Sequence, residues 1–213
     1  MEASAVEIRV LGCLIEKQRT TPEVYPLSLN ALRAACNQST NREPVLSLDE
    51  PAIRQALEQL GRKRWVRLAS GPGSRTTKYR HLLDDALGLS PASLALLAVL
   101  MLRGPQTPGE LKGRSERLYP FGSLAEIEQG LERLVAPGLV VRLERRPGQK
   151  EERYAQRLGG AGESEVSAPM HVADRGDAPA AASGDRFDHL EQRVARLEEE
   201  LDSLRHALAS PPG

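Results

Sequence analysis

Hydrophobic residues recur at helical spacing along the first 160 positions of the chain, and the pattern appears twice. Ile53, Leu57 and Leu60 lie four and three residues apart, the spacing of a helix that packs one face against a core. The same stripe returns 74 residues later, and the two segments, 53–60 and 127–134, are identical at five of their eight positions. The sequence therefore predicts one structural unit in two tandem copies.

Each copy continues from this helix into a pattern typical of a β-hairpin. The first copy contains a predicted strand, a Gly-Pro-Gly-Ser turn and a returning strand at residues 65–68, 71–74 and 76–79. At a spacing of 75, Val66-Arg67-Leu68 and Tyr79 recur as Val141-Arg142-Leu143 and Tyr154. A helix followed directly by a hairpin, the wing, is typical of the winged helix-turn-helix, in which the helix enters the DNA major groove.

Two further helices are predicted before this third helix in each copy. Their expected bounds are about 3–17 and 28–37 in the first copy, and about 91–102 and 108–114 in the second, where Ser90-Pro91 and Thr107-Pro108 are helix-start signals. Residues 24–25, between two prolines, are predicted as a short strand that joins the hairpin. The predicted fold class is mainly α with small β-hairpins (α+β), in two tandem winged helix-turn-helix domains over residues 1–88 and 89–158.

The first copy has 12 more residues than the second between its Thr-Pro pair and the third helix, since Thr21 to Ile53 is 32 positions and Thr107 to Ile127 is 20. Much of this excess is predicted to lie around residues 38–46, a polar connection that is longer than the turn of a simple helix-turn-helix. Two interpretations stay open. The segment is a functional loop, or it caps the second helix through hydrogen bonds from Asn and Ser.

The end of the chain differs in character from the two copies. Residues 159–186 are rich in Gly, Ala, Ser, Pro and Asp and are predicted as a flexible linker. Residues 187–209 are predicted as a coiled-coil helix, because apolar residues alternate three and four apart at Phe187, Leu190, Val194, Leu197, Leu201, Leu204 and Leu208. The flanking charges favour a parallel homodimer through this seam. The alternative is a helix that folds back on its own chain.

Charge is distributed unevenly, although the formal net charge is zero. Residues 1–90 hold 13 Lys or Arg against 10 Asp or Glu, residues 91–160 hold 11 against 8, and residues 161–213 hold 5 against 11. A mildly basic body is therefore offset by an acidic tail. This distribution is compatible with a nucleic-acid partner for the body.

The candidate DNA contacts belong to the first copy. Arg and Lys neutralise phosphates, and Arg or Gln can form paired hydrogen bonds to the edges of G or A. The candidates on the third helix and just beyond it are Arg54, Gln55, Gln59, Arg62, Lys63 and Arg64, those in the wing are Arg75 and Lys78, and those in the long loop are Asn37, Asn41 and Arg42.

The third helix of the second copy has the opposite charge. It carries Glu126, Glu128 and Glu132 with one cation, Arg133, so we expect phosphate to repel it. The wing of this copy, around residues 145–150, offers a backbone contact, or the whole domain offers a face to another protein. Two functions follow: a homodimeric regulator that binds double-stranded DNA through its first domain, and a scaffold that binds proteins without DNA.

Sequence motifs of common enzyme classes are absent, including G-x-x-x-x-G-K, H-E-x-x-H and G-x-S-x-G. We therefore expect no enzymatic activity and no cofactor or metal. Cys13 and Cys36 are expected to be core thiols in a reducing cytoplasm, and His81 is expected at a solvent-exposed or strand-edge position. The chain starts without a signal-peptide pattern and has no apolar run of membrane-spanning length, so a cytoplasmic protein with no membrane partner is expected.

Several segments resemble the YceH-like family of bacterial proteins. They are residues 10–17 (VLGCLIEK), residues 25–32 (YPLSLNAL), the pairs Asn37-Gln38 and Asn41-Arg42, and residues 102–111 (LRGPQTPGEL). The resemblance covers about residues 4–158. It implies a tandem winged-helix fold and a cytoplasmic protein, and it supplies no catalytic residues. The polar segment 37–45 is the family-specific site to which the resemblance points.

Overall fold

The helices and strands begin and end at caps and turns that are visible in the sequence. The computed structural model describes residues 2–69, 76–145 and 151–159, all within the first of two units, residues 1–168 and 169–213. The helices are α1 (Ala5–Thr20), α2 (Leu29–Cys36), α3 (Glu50–Arg62), α4 (Leu83–Leu87), α5 (Pro91–Arg103), α6 (Pro108–Ser115) and α7 (Leu124–Val135). The strands are β1 (Leu27–Ser28), β2 (Val66–Leu68), β3 (Lys78–His81), β4 (Val140–Leu143) and β5 (Arg153–Gln156). This mixture of helices and small antiparallel sheets confirms the α+β class.

Some predictions concern residues outside the described ranges. Among them are Arg75 in the first hairpin, the tip of the second hairpin at residues 146–150 and nearly all of the predicted linker at 159–186. The predicted coiled-coil helix at 187–209 also lies outside these ranges, with its seam residues Phe187, Leu190, Val194, Leu197, Leu201, Leu204 and Leu208.

Side-chain caps start the principal helices of both halves, which are residues 1–88 and 89–158. Ser4 and Glu7 form a reciprocal capping box at the start of α1, and Thr107 and Glu110 form the same arrangement at α6. Ser90 caps α5 directly before a proline. The helix starts predicted at Ser90-Pro91 and Thr107-Pro108 are therefore confirmed.

The sheet of the first half has the strand order β1-β3-β2, with antiparallel neighbours. In the second half β4 pairs with β5, and a single bridge between Gln106 and Tyr154 takes the place of the β1–β3 pairing. The strand predicted at residues 24–25 is wrong. Val24 belongs to a 3-10 turn that closes locally, through a hydrogen bond from the Tyr25 N–H to the Pro22 carbonyl. The extended backbone lies further on and leads into Ser28, the cap of α2.

The two hairpins correspond at a spacing that differs from the predicted one. Val66 pairs with His81, and Val140 pairs with Gln156, so Val140 rather than Val141 is the equivalent of Val66. Arg142 consequently takes the place of Leu68 and not of Arg67. The spacing of 74 thus extends from the third helix through the first strand of the hairpin. Because successive side chains on a strand face opposite sides, this shift of one residue decides which face Arg142 occupies.

The 12 extra residues of the first half lie in two places. The N-caps Ser4 and Ser90 are 86 apart, Ser28 and Thr107 are 79 apart, and the caps of α3 and α7 are 74 apart. Seven extra residues therefore precede α2, and five separate α2 from α3. The prediction that much of the excess lies around residues 38–46 holds for the five residues between α2 and α3 and is wrong for the other seven, because it aligned Thr21 rather than Ser28 with Thr107.

Helix α5 is buried on all sides, from Ser93 to Leu102. On one side it contacts α1, where Gly12 permits a close approach: a Cβ at Gly12 would lie 2.9 Å from side-chain atoms of Leu102. On another side α7 approaches through Gly130, whose Cβ would lie 2.7 Å from Leu96 Cδ1. A helix that is apolar on all sides belongs inside a core. The two halves consequently share one hydrophobic core across α1 and α5.

Candidate nucleic-acid interface

Helix α3 presents a polar face outward from the first half. Ile53, Leu57 and Leu60 point into the core, as their spacing predicted. The opposite side exposes Arg54, Gln55, Glu58 and Arg62, whereas Gln59 is half-buried. The exposed polar side of a helix that continues directly into a hairpin is a surface that a linear polymer such as DNA can contact.

Arg54 forms a surface ion pair within α3. Its Nη2 lies 2.6 Å from Glu50 Oε1, one helical turn away, and the side chain is 56% exposed. Pairs of this kind stabilise a helix by about 0.3 to 0.5 kcal/mol. A phosphate can therefore replace Glu50 as the partner of Arg54 at small cost.

Lys63 and Arg64 follow the end of α3 and differ in their surroundings. Lys63 Nζ pairs with the buried carboxylate of Glu7 and lies 5.9 Å from the centre of the Trp65 ring. Its charge therefore already has a partner that the fold requires. Arg64 is exposed and has a φ of +61°. Gly138, with a φ of +77°, occupies the equivalent position after α7.

The hairpin of the first half adds further cations. Lys78 begins β3 and is half-buried. Arg67 is exposed in β2, between buried Val66 and exposed Leu68, and it was missed as a candidate contact. The strand alternation was the signal that could have identified it, since its neighbour Val66 is an apolar residue that faces the core.

All three candidates in the long loop make contacts within the fold. Asn37 ends α2 and closes the loop with two bonds to Leu48: its Nδ2 donates to the carbonyl at 2.8 Å, and its Oδ1 accepts from the N–H at 2.8 Å. The Arg42 side chain is wholly buried, and its Nη2 lies 2.5 Å from Glu16 Oε2. Its Nε donates to the Ala35 carbonyl at 3.0 Å. A buried, fully engaged guanidinium has no surface to offer to a phosphate.

Further contacts of the loop reach α5 of the second half and α1 of the first half. The Glu43 N–H donates to the Leu102 carbonyl of α5 at 2.7 Å, and exposed Asn41 accepts a hydrogen bond from Arg103 through its Oδ1. Arg9 of α1 donates to the Pro44 carbonyl at 2.5 Å. Of the two interpretations left open for this segment, the geometry therefore supports a structural loop, which caps α2 and fastens α1 to α5.

The second half has a groove between α7 and the hairpin, with a volume of about 640 Å³. Arg142 crosses it, with its guanidinium 5.6 Å from the centre of the Tyr154 ring and Nη2 2.7 Å from Glu132 Oε1. The lining is Ala125, Glu128, Gln129, Glu132, Arg133, Arg142, Glu152 and Tyr154. Among the described residues that line this groove, carboxylates thus outnumber cations.

His81 ends the central strand of the first sheet and is buried, so the expectation of a solvent-exposed or strand-edge position is wrong. Its Nε2 lies 2.6 Å from Gln18 Oε1 and its Nδ1 lies 3.5 Å from Asp84 Oδ1. Burial lowers the pKa of His81 and outweighs the opposing effect of Asp84. Nearby Tyr25 accepts a hydrogen bond from the His81 N–H at 2.9 Å, and burial raises the pKa of this tyrosine to about 12.

Within residues 2–69, 76–145 and 151–159 no three His, Cys, Asp or Glu side chains come together as a metal site. In the same ranges no helix combines the length and the apolar composition needed to cross a bilayer.

Comparison with known proteins identifies the family. A family model described as a protein of unknown function, DUF480, matches residues 3–149. A UPF0502 protein of Citrobacter koseri is 47% identical over 213 residues, covering 95% of this chain and 96% of the relative. A UPF0502 protein of Geotalea daltonii is 51% identical over 195 residues, covering 88% and 86%. UPF0502 protein YceH of Salmonella arizonae is 46% identical over 213 residues, covering 95% and 96%. The chain belongs to the DUF480 family. It is similar to these UPF0502 proteins, and the resemblance to YceH-like proteins is thereby confirmed.

Proposed function

We propose that this protein binds double-stranded DNA through its first half, folded as a winged helix-turn-helix in which α3 enters the major groove and the β2–β3 hairpin contacts neighbouring backbone. The observation that carries the proposal is the exposed side of α3, with Arg54, Gln55 and Arg62, directly joined to a hairpin that exposes Arg67. These side chains can neutralise phosphates, and Arg or Gln can read base edges.

The order of elements supports the winged-helix assignment for both halves. The first half runs helix, strand, helix, helix, strand, strand, and its sheet has the order β1-β3-β2. The second half repeats the three helices and the hairpin, with the Gln106–Tyr154 bridge in place of the first strand pairing. A third helix that leads into an antiparallel hairpin is the arrangement that winged-helix proteins use to contact DNA.

The structure narrows the set of candidate DNA contacts. Asn37, Arg42 and Lys63 are left out, because each is held by bonds that stabilise the fold. The exposed members Arg54, Gln55, Arg62, Arg64 and Arg67 form the proposed contact set, and Lys78 flanks it. Asn41 is left out as well, because its Oδ1 accepts a hydrogen bond from Arg103 of α5, and Arg75 keeps the role expected from the sequence.

The proposal also covers the oligomeric state of the protein, its location in the cell and its regulatory role. Two chains would pair through the predicted seam from Phe187 to Leu208, so that two DNA-reading halves act together in the cytoplasm as a transcriptional regulator without catalytic activity. In sedimentation of the full chain, Leu197→Asp with Leu201→Asp is expected to halve the mass of the particle, because charged residues in the seam prevent pairing. An unchanged mass would reject the seam as the dimer contact.

A salt titration of duplex binding tests the DNA proposal. Log K is expected to fall with log salt concentration at a slope of about −0.9 per phosphate contacted. Arg54→Glu with Arg62→Glu removes two exposed cations and leaves the Lys63–Glu7 pair intact. We expect this variant to bind every sequence more weakly and with a shallower slope. Circular dichroism of the variant is the check that it is folded.

The matched control is Arg117→Glu with Arg133→Glu. It changes the total charge equally, on exposed positions of the second half. If the control loses as much affinity as the α3 variant, binding follows net charge and not the α3 surface. If the unaltered protein retains no duplex at low salt, from random or genomic fragments, the DNA proposal fails.

The groove of the second half favours a second candidate function, a scaffold that binds proteins without DNA. Glu128, Glu132 and Glu152 line this groove, and like charge repels phosphate but attracts basic protein segments. The same titration separates the two functions. Retention of duplex DNA that depends on Arg54 and Arg62 supports the first, and absence of any duplex binding favours the second.

A further inference from the structure

The groove beside α7 contains two charges that the fold leaves without partners. Arg142 is held in this groove by Glu132 and Glu152. Glu128 and Arg133 line the same groove and are exposed, and neither forms an ion pair with another residue of the described ranges. The groove therefore presents one carboxylate and one guanidinium that a second molecule can pair with.

The outward side of α3 contains a matching pair of charges, Glu58 and Arg62. Both side chains are exposed, and neither has an ion pair within the part of the chain that the structure describes. Arg54 on the same side differs from them, because Glu50 already pairs with it inside α3. The charges of α3 that remain to be paired are thus again one carboxylate and one guanidinium.

The two pairs of charges are complementary when the helices lie antiparallel. Glu58 and Arg62 are four residues apart, which is about 6 Å along a helix. Glu128 and Arg133 are five residues apart, which is about 7.5 Å. In each helix the carboxylate comes first, so opposite helix directions place Arg62 beside Glu128 and Glu58 beside Arg133. Opposite charges at similar spacing favour one orientation and register of two surfaces over others.

These two surfaces belong to one chain but do not meet within it. The apolar stripes of α3 and α7 both face the shared core, where α3 packs against α1 and α7 packs against α5. The charged sides of both helices consequently face away from that core. A contact between them requires two chains, and every copy of the protein supplies both surfaces at equal concentration.

We propose that the outward side of α3 of one chain docks in the groove beside α7 of a second copy, with Arg62 beside Glu128 and Glu58 beside Arg133. Half-buried Glu152 of the groove adds a further carboxylate near the docked guanidinium. Because exposed charge pairs contribute little free energy and are screened by salt, the association is weak and is lost as salt rises. The contact itself needs no DNA. One consequence rests on the proposed function: a duplex and a second copy compete for the same side of α3.

Sedimentation of the full-length chain without DNA tests the contact. Leu197→Asp with Leu201→Asp serves as the background, so that pairing through the predicted seam does not contribute. The average mass is expected to rise reversibly with protein concentration at about 20 mM salt and to fall to that of the monomer at about 300 mM. A background protein that stays monomeric at low salt, up to the highest concentration it reaches in solution, would overturn the proposal.

Two charge-exchange variants in this background decide which surfaces meet. Glu58→Arg with Arg62→Glu reverses the pair on α3, and Glu128→Arg with Arg133→Glu reverses the pair in the groove. Neither variant changes the net charge. Each alone is expected to associate about tenfold more weakly or less, because like charges then face each other. An equal mixture of the two is expected to associate again, because the reversed α3 of one variant matches the reversed groove of the other.

The matched control exchanges two charges outside both surfaces. Arg33→Glu with Glu116→Arg also keeps the net charge, at exposed positions of α2 and of the end of α6, and it should associate like the background. An equal loss in this control, undiminished association of either exchange variant, or a mixture that stays monomeric would each overturn the proposal. Recovery in the mixture also shows that both variants are folded. Association that recovers in this way, in a protein that retains no duplex, would leave the contact standing while the DNA proposal fails.

Discussion

The outward surfaces of α3 and α7 occupy corresponding places in the two halves but carry different charges. Arg54 of α3 corresponds to Glu128 of α7, and Arg62 corresponds to Ala136. In the hairpin the relation is reversed, since exposed Leu68 corresponds to Arg142. In the second half Arg142 is held across its own groove by Glu132 and Glu152, at 2.7 and 3.4 Å, whereas Arg54 lies at an exposed surface.

This difference distinguishes the inward positions, which the fold requires to be apolar, from the outward positions, which set the charge of the surface. The apolar stripe of the third helix is the same in both halves, because both stripes pack against the shared core. The outward positions differ in sign of charge at little cost to the fold, because exposed charges contribute little to stability. The same fold can therefore present a surface that attracts phosphate in one half and a surface that repels phosphate in the other.

The largest expected effect concerns the loop between α2 and α3, which is five residues longer than its counterpart in the second half. Arg42→Met keeps most of the side-chain volume but leaves Glu16 without its buried partner, at a cost of about 3 kcal/mol or more in the free energy of unfolding. Urea unfolding measures this loss. Arg33→Met, on an exposed position of α2, is the control and should change stability little. A loss below about 1 kcal/mol for Arg42→Met would contradict the structural role of the loop.

A smaller effect distinguishes β3 of the first half from β5 of the second. His81 corresponds to Gln156, and the lowered pKa of buried His81 keeps it neutral in the folded protein. As the pH falls below the ordinary histidine value of about 6.5, the unfolded chain takes up a proton that the folded chain does not, so stability decreases by up to about 1.4 kcal/mol per pH unit. The effect is absent above that pH.

Melting temperatures between pH 7.5 and 5 check this dependence. His81→Gln places the residue of the second half in the first, and it should flatten the decline in that interval. His189→Gln removes a histidine outside the described residues and serves as the control. If His81→Gln and the unaltered protein lose stability in parallel, another group is responsible.

These cases indicate how far the sequence alone could lead. The third helices, the starts of α5 and α6 and the α+β class could be predicted, because apolar spacing and capping residues are local signals. The register of β4 could not, since Val140-Val141 offers two adjacent valines and only pairing with Gln156 selects one. The burial of Arg42 and His81 could not be predicted either. A charged or polar side chain in a polar segment predicts exposure, and its actual place depends on partners 26 and 63 residues away, Glu16 and Gln18.

The ends of the third helices offer a third contrast. Arg64 and Gly138 both have a positive φ, which glycine adopts without strain and arginine does not. Arg64→Gly is expected to raise the free energy of unfolding by about 1 kcal/mol, and Gly138→Arg to lower it by a similar amount. On the proposed function, Arg64→Gly also weakens duplex binding. A stabilised variant with weaker binding would show that the strained conformation of Arg64 contributes to DNA binding. Unchanged binding would remove Arg64 from the contact set.

The smallest effect is expected when the groove beside α7 is given the arginine that α3 carries at the corresponding position. Glu128→Arg places an arginine at the α7 position that corresponds to Arg54 and removes a carboxylate from the groove. If this groove lies near the duplex when α3 is bound, affinity at low salt should rise a few-fold, and the slope of log K against log salt should steepen by about 0.9 for one new phosphate contact. Glu116→Arg makes the same change of charge at an exposed position that does not line the groove. An equal gain in both variants would mean that net charge alone draws DNA. A gain confined to Glu128→Arg would mean that the acidic groove holds the second half away from the duplex.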